Sequence, residues 1–196
     1  YGNDDWPAFV GASFITLFVG SICYLSNKGI VTEHLELRQA FLLTNSAWIS
    51  IALFGSIPFM LSEIDMSFTD AIFESTSGIT TTGATVINNL DTTSHGILIW
   101  RALLQWLGGV GIIVMALAVL PMLSIGGMQL FKTESYETPD KVVPKAASFA
   151  AGISMVYISL TTLWALMLWI AGMPIFDSIA HAMTTIATGG YSTKSE

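Results

Sequence analysis

Two short runs rich in threonine and glycine, TTTGA at residues 80–84 and ATGGY at residues 187–191, carry the chemistry most easily read from this sequence. A dehydrated cation the size of potassium needs a ring of oxygens in place of its water. Backbone carbonyls supply such oxygens without the strong trapping of a full carboxylate. Glycine lets a chain turn its carbonyls inward because it accepts positive φ at little steric cost. Threonine keeps a strand extended and adds a hydroxyl oxygen. A single Thr-Thr-Gly run reads as a turn; here the run occurs twice, each time after a short half-apolar stretch.

Those stretches are SFTDAIFESTSGITTTGATV, Ser67 to Val86, and PIFDSIAHAMTTIATGGYST, Pro174 to Thr193. Laid on one another they pair Asp70 with Asp177, Ile72 with Ile179, Ile79 with Ile186, Thr81 with Thr188 and Gly83 with Gly190, at a constant offset of 107 residues. Each predicts a half-helix of roughly eleven to thirteen residues, about half the thickness of a bilayer and so the length of a re-entrant segment. Ser67 with Asp70 three residues on is a capping-box start, and Asp177 holds a similar first-turn place. The half-helix C-termini would point their partly negative ends at a cation. Glu74 and His181, equivalent at the same offset, are expected to hydrogen-bond behind the loops rather than touch an ion.

The elements that must position these loops are long and apolar. Of 196 residues, 53% are hydrophobic and 11% charged, too few ionisable side chains to clothe a water-soluble surface. Runs from about Ala8 to Ser26, Gln39 to Leu61, Ile97 to Leu120 and Ser148 to Gly172 are each long enough to cross a hydrocarbon core of roughly 30 Å. They are apolar all round rather than striped, which excludes a soluble helical domain. Arg101, the one formal charge within them, is expected to snorkel to the interface beside Trp100. Gly108, Gly109 and Gly111 read as sites of close helix approach. Cys23 has no partner for a disulfide and reads as a small buried hydrophobe.

Lys28, Arg38, Lys132, Lys141 and Lys145, five of the seven basic residues, fall between spans one and two or three and four; that side is expected to be cytoplasmic. The N-terminus and both Thr/Gly loops then lie outside, where acidic residues would concentrate cations. The expected fold is an all-α integral membrane protein of repeated units, each a helix, a re-entrant pore half-helix with its filter loop, and a helix, like those of potassium channels. Residues 1–38 form an extra helix and connection, 39–125 the first unit, 126–147 a cytoplasmic linker, and 148–196 a second unit cut before its last helix. Tyr1 is not an initiator methionine, and with the end at Glu196 the sequence reads as a piece of a longer chain.

SGITTTGATV at Ser77 to Val86, WRALLQWLGGVGIIVMALAVLP at Trp100 to Pro121, GGMQLFKTE at Gly126 to Glu134 and FDSIAHAMTTIATGGYST at Phe176 to Thr193 together resemble the TrkH-like membrane subunits of the Trk/Ktr/HKT potassium transporters. The resemblance implies four such units around one pore, with filter carbonyls from Thr81, Thr82 and Gly83 and from Thr188, Gly189 and Gly190. Glycine at Gly83 and Gly190 is the potassium-type choice. Asp70, Glu74, Asp177 and His181 would support the pore helices. It also implies a bacterial inner-membrane, multi-pass protein in lipid, a homodimer at full length, and a nucleotide-binding regulatory subunit docked on the basic cytoplasmic face. No nucleic acid, no covalently bound cofactor and no enzymatic activity are implied, and K+ is the transported ion.

Two other functions compete with potassium uptake. A non-conducting membrane scaffold or remnant would follow from holding barely half a pore. An intramembrane hydrolase would need a nucleophile and base such as Ser77 with His181, although no Gly-x-Ser-x-Gly elbow or paired-histidine motif accompanies them.

Overall fold

The computed structural model describes residues 5–29, 37–64, 66–123 and 142–195. Six α-helices account for most of them: α1 Trp6–Ser26, α2 Leu37–Leu61, α3 Phe68–Ile79, α4 His95–Leu123, α5 Val142–Ile170 and α6 Ile175–Ile186. A single 3-10 turn, Leu90–Thr92, lies before α4. Residues 126–141 of the expected linker, with Lys132 and Lys141, lie outside the described residues, as do Asp4, His34, Asp65 and Glu196. Helix α5 already begins at Val142, inside the stretch expected to be linker.

Four helical segments are long and apolar enough to cross a membrane: Trp6–Ser26, Phe41–Leu61, His95–Ile113 and Ala151–Ile170. Their exterior is that of a lipid-facing protein. Phe14, Leu17, Met155 and Ile170 are exposed, whereas Glu74, Arg101 and Gln105 are almost wholly buried. That inversion of the water-soluble pattern suits a solvent that cannot hydrogen-bond.

Helix α4 is the hub, packing against α2, α3, α5 and α6, while α1 packs on α2. One apolar cluster gathers Phe59, Ala71, Ile87, Leu90, Ile97, Leu98 and Leu104; a second joins Ala102 to Ala180 and Met183. The short helices α3 and α6 therefore lie on two sides of α4. Their C-terminal ends reach adjacent positions on it: a Cβ on Gly108 would overlap the Ile79 carbonyl oxygen, and one on Gly109 would stand 3.0 Å from the Ala187 Cα. Side chains at either position would push one loop off the hub, so these glycines serve close packing.

Ser67 caps α3, accepting from the Asp70 N–H at 3.2 Å while its hydroxyl donates to the Asp70 carboxylate at 2.7 Å. Helix α6 starts differently. Pro174 is its N-cap with no side-chain bond, and the preceding helix ends in a Schellman closure, Met173 N–H donating to the Leu168 carbonyl at 3.1 Å.

Candidate functional site

Each short helix runs into its Thr/Gly loop through the same backbone path. The N–H groups of Thr80, Thr81 and Thr82 donate to the carbonyls of Thr76, Gly78 and Ser77; those of Ala187, Thr188 and Gly189 donate to Met183, Thr185 and Thr184. Every one of these bonds has its counterpart at the offset seen in the sequence. Thr81 and Thr188 both take left-handed φ, 57° and 56°, and Gly83 and Gly190 follow at 80° and 78°. A non-glycine residue in that region is strained by roughly 1–2 kcal/mol, so two threonines adopting it at matched places indicates loops held from outside.

The loops meet. A Cβ on Gly83 would overlap the Gly189 carbonyl oxygen, whereas one on Gly190 would find nothing within 4 Å. Thr82, Thr188 and Gly190 are exposed, Thr81 and Gly83 half-buried, and Gly189 buried. The Gly189 carbonyl accepts the Gln105 amide at 3.0 Å, and the Gln105 carbonyl accepts the Tyr191 N–H at 3.2 Å. The Thr82 hydroxyl pairs with that of Thr80 at 2.8 Å, and the Thr188 hydroxyl donates to the Ala187 carbonyl.

Behind the first loop, Glu74 is 0% exposed. Its carboxylate accepts the Thr85 hydroxyl at 2.9 Å, the Val86 N–H at 3.0 Å and the Arg101 Nε at 2.7 Å. The Arg101 guanidinium also donates to the Ser192 carbonyl at 3.2 Å and lies 4.0 Å over the Tyr191 ring. The Tyr191 hydroxyl donates across to the first segment, at 3.0 Å from the Glu74 carbonyl and 3.2 Å from that of Ala84. Ser77 donates to the same Ala84 carbonyl at 2.6 Å.

Behind the second loop the position equivalent to Glu74 holds His181. His181 Nδ1 lies 2.8 Å from the Asp177 carbonyl, which can only accept, so that nitrogen carries the proton; Nε2 then faces the Ser192 hydroxyl at 3.5 Å. Thr193 donates to the Asp177 carboxylate at 2.7 Å. Asp177 thus ties the loop to the helix, while Asp70 stays within its own cap.

Arg101 corrects the expectation of an interfacial anchor. At 1% exposure it is buried between the loops, because a buried carboxylate one short helix away compensates its charge where lipid could not. Cys23 is likewise exposed rather than buried. Ser77 and His181 do not pair, each being engaged within its own segment, and among the described residues no group of three or more His, Cys, Asp or Glu could hold a metal. Arg101, Gln105 and Tyr191 were not singled out by sequence as site residues. The available signal was that Glu74, a carboxylate in the middle of a short helix between apolar spans, needs a cation, and the third span offers one.

A family model for TrkH, described as a cation transport protein, matches residues 6–196. The Trk system potassium uptake protein TrkH of Salmonella typhimurium is 45% identical over 98% of this chain and 40% of its own length. That of Escherichia coli K12 is 44% identical with the same coverage. The Trk system potassium uptake protein TrkI of Halomonas elongata is 45% identical over 79% of this chain and 31% of its own. Among solved structures, the crystal structure of the potassium transporter TrkH from Vibrio parahaemolyticus matches with a TM-score of 0.84 at 40% identity, covering 98% of this chain and 38% of that one. The chain therefore spans 31–40% of the length of these relatives.

Proposed function

The chain belongs to the TrkH family of cation transport proteins, transporters rather than enzymes, and from that premise we propose that it takes part in potassium uptake through a filter of backbone carbonyls. The observation that carries this reading is the matched left-handed backbone at Thr81 and Thr188 and at Gly83 and Gly190, in two loops that touch. Thr81, Thr82, Gly83, Thr188, Gly189 and Gly190 supply the oxygens. One lone pair of the Gly189 carbonyl is occupied by Gln105, and the other is its share of the site.

Helices α3 and α6, each of 12 residues, are read as re-entrant pore helices that reach half-way into the bilayer, about 18 Å at 1.5 Å per residue. Asp70, Glu74, Asp177 and His181 support them. Non-helical backbone at that depth is tolerated because it is buried in protein or lines a water-filled path. Residues 39–125 make the first unit and residues 148–196 the second, with the loops outside and the basic connections cytoplasmic. Two loops cannot ring an ion, so the remaining sides come from the further length that the relatives possess. The full protein is read as an inner-membrane homodimer whose cytoplasmic linker, Gly126 to Pro144, docks a nucleotide-binding regulatory subunit.

The test is rubidium uptake in a bacterial strain lacking potassium uptake, with the protein at the full length of its relatives. Gly83→Asp and Gly190→Asp should each abolish uptake, since a carboxylate in the ring traps the cation and its side chain fills the path. Unchanged uptake in both would overturn the filter assignment. Membrane insertion without uptake by the unsubstituted protein would favour the non-conducting scaffold.

A further inference from the structure

Backbone that bonds neither to a helix nor to a sheet needs another source of rigidity, and selection between cations that differ by fractions of an ångström makes that source part of the function. In the first loop the fixing bonds converge on few groups. Glu74 takes Thr85 and Val86, while Ser77 and Tyr191 both donate to the Ala84 carbonyl. Glu74 is itself oriented by Arg101, and Arg101 holds the second loop by its other branch at Ser192. Gln105, one helical turn along α4, holds the second loop again at Gly189 and Tyr191. The first loop therefore depends on a side chain of the second.

Resting on the potassium-filter reading, we infer that Arg101 and Tyr191 are positioning residues that set the cation preference of the first loop by clamping both loops to one face of α4. Neither contacts the ion. With Glu74 at 0%, Arg101 at 1% and Tyr191 at 5% exposure, the clamp is shielded from water, so its bonds keep the strength of a low-dielectric setting. Arginine is suited to it because a planar fork can reach the Glu74 carboxylate and the Ser192 carbonyl at once, as a lysine ammonium on a single stem cannot.

The experiment measures rubidium uptake against sodium competition in the full-length protein, with the amount in the membrane determined in parallel. Arg101→Lys keeps the charge beside Glu74 and loses the second branch; the sodium concentration that halves uptake should fall about tenfold, KM for rubidium rising more than Vmax falls. Tyr191→Phe keeps the ring under the guanidinium and removes one hydroxyl; the same half-inhibiting sodium concentration should fall about threefold with membrane amount unchanged. A merely structural role would lower the amount and leave that concentration alone. Should Arg101→Lys not accumulate, Tyr191→Phe and the charge-free pair Glu74→Gln with Arg101→Gln decide. Wild-type sodium competition in every variant that reaches the membrane overturns the inference. Gly83→Asp and Gly190→Asp separate the two readings: if both spare uptake the filter itself is misassigned, and if they abolish uptake while Tyr191→Phe and Arg101→Lys stay selective, only the clamp is wrong.

Discussion

The two Thr/Gly loops share a backbone and differ in what stands behind it. In the first, a buried carboxylate, Glu74, is paired with a buried guanidinium; in the second, a histidine faces a serine hydroxyl. Thr85 and Ser192, the hydroxyls that meet Glu74 and His181, stand at the same offset of 107 residues, so the same spatial role is filled by a carboxylate in one loop and an imidazole in the other. The same strained backbone path is thus held from outside by different groups, each keeping a donor and an acceptor in register.

That comparison breaks most sharply at the charges. Glu74→Ala strands Arg101 as a buried unpaired cation and should destabilise the full-length protein by about 3–5 kcal/mol. His181→Ala loses the contacts to the Asp177 carbonyl and the Ser192 hydroxyl and strands no buried charge, so it should cost about 1 kcal/mol. Thermal unfolding of the two variants in the same detergent checks the difference. Equal shifts would mean that lipid, water or another part of the protein compensates Arg101.

The long apolar helices, the two short helices, their common offset and the Ser67 cap were legible because each is local: hydrophobic run length, a three-residue cap spacing and a recurring residue order. The close approach at Gly108 and Gly109 was legible for a similar reason, since small residues inside an apolar helix mark a neighbour. Arg101 was misread. A charge near the end of an apolar run suggests snorkelling when the helix is considered alone, and its depth in the protein depends on Glu74, 27 positions away on a helix too short to span. Tyr191 and Gln105 were missed for the same physical reason. An aromatic after a glycine pair and an amide in a span acquire meaning only once the second loop is folded back onto α4.

A smaller difference separates the equivalent glycines. Gly83→Ala meets both the left-handed φ, roughly 1–2 kcal/mol, and the Gly189 carbonyl that its Cβ would overlap, about 1 kcal/mol or more of displaced backbone. Gly190→Ala meets the first cost alone, because its Cβ would point into open space. Thermal unfolding should therefore rank Gly83→Ala below Gly190→Ala, by about 1 kcal/mol or more. If the ranking reverses, the second loop is the more crowded one, its open side being filled by groups outside this segment.

The smallest difference lies at the helix starts. Ser67→Ala removes the acceptor for the Asp70 N–H and should cost about 1 kcal/mol, as N-cap losses do. Pro174→Ala removes no cap bond, and the stiffness it surrenders in the unfolded chain should amount to roughly 0.4–1 kcal/mol. Asp70→Asn and Asp177→Asn sharpen the contrast, because Asp70 serves its own cap whereas Asp177 accepts Thr193 from the far end of its loop. Hydrogen exchange on the full-length protein should accordingly show Asp70→Asn loosening only the first turn of α3. Asp177→Asn should loosen residues 191–193 as well, and protection unchanged there would remove Asp177 from the support of the second loop.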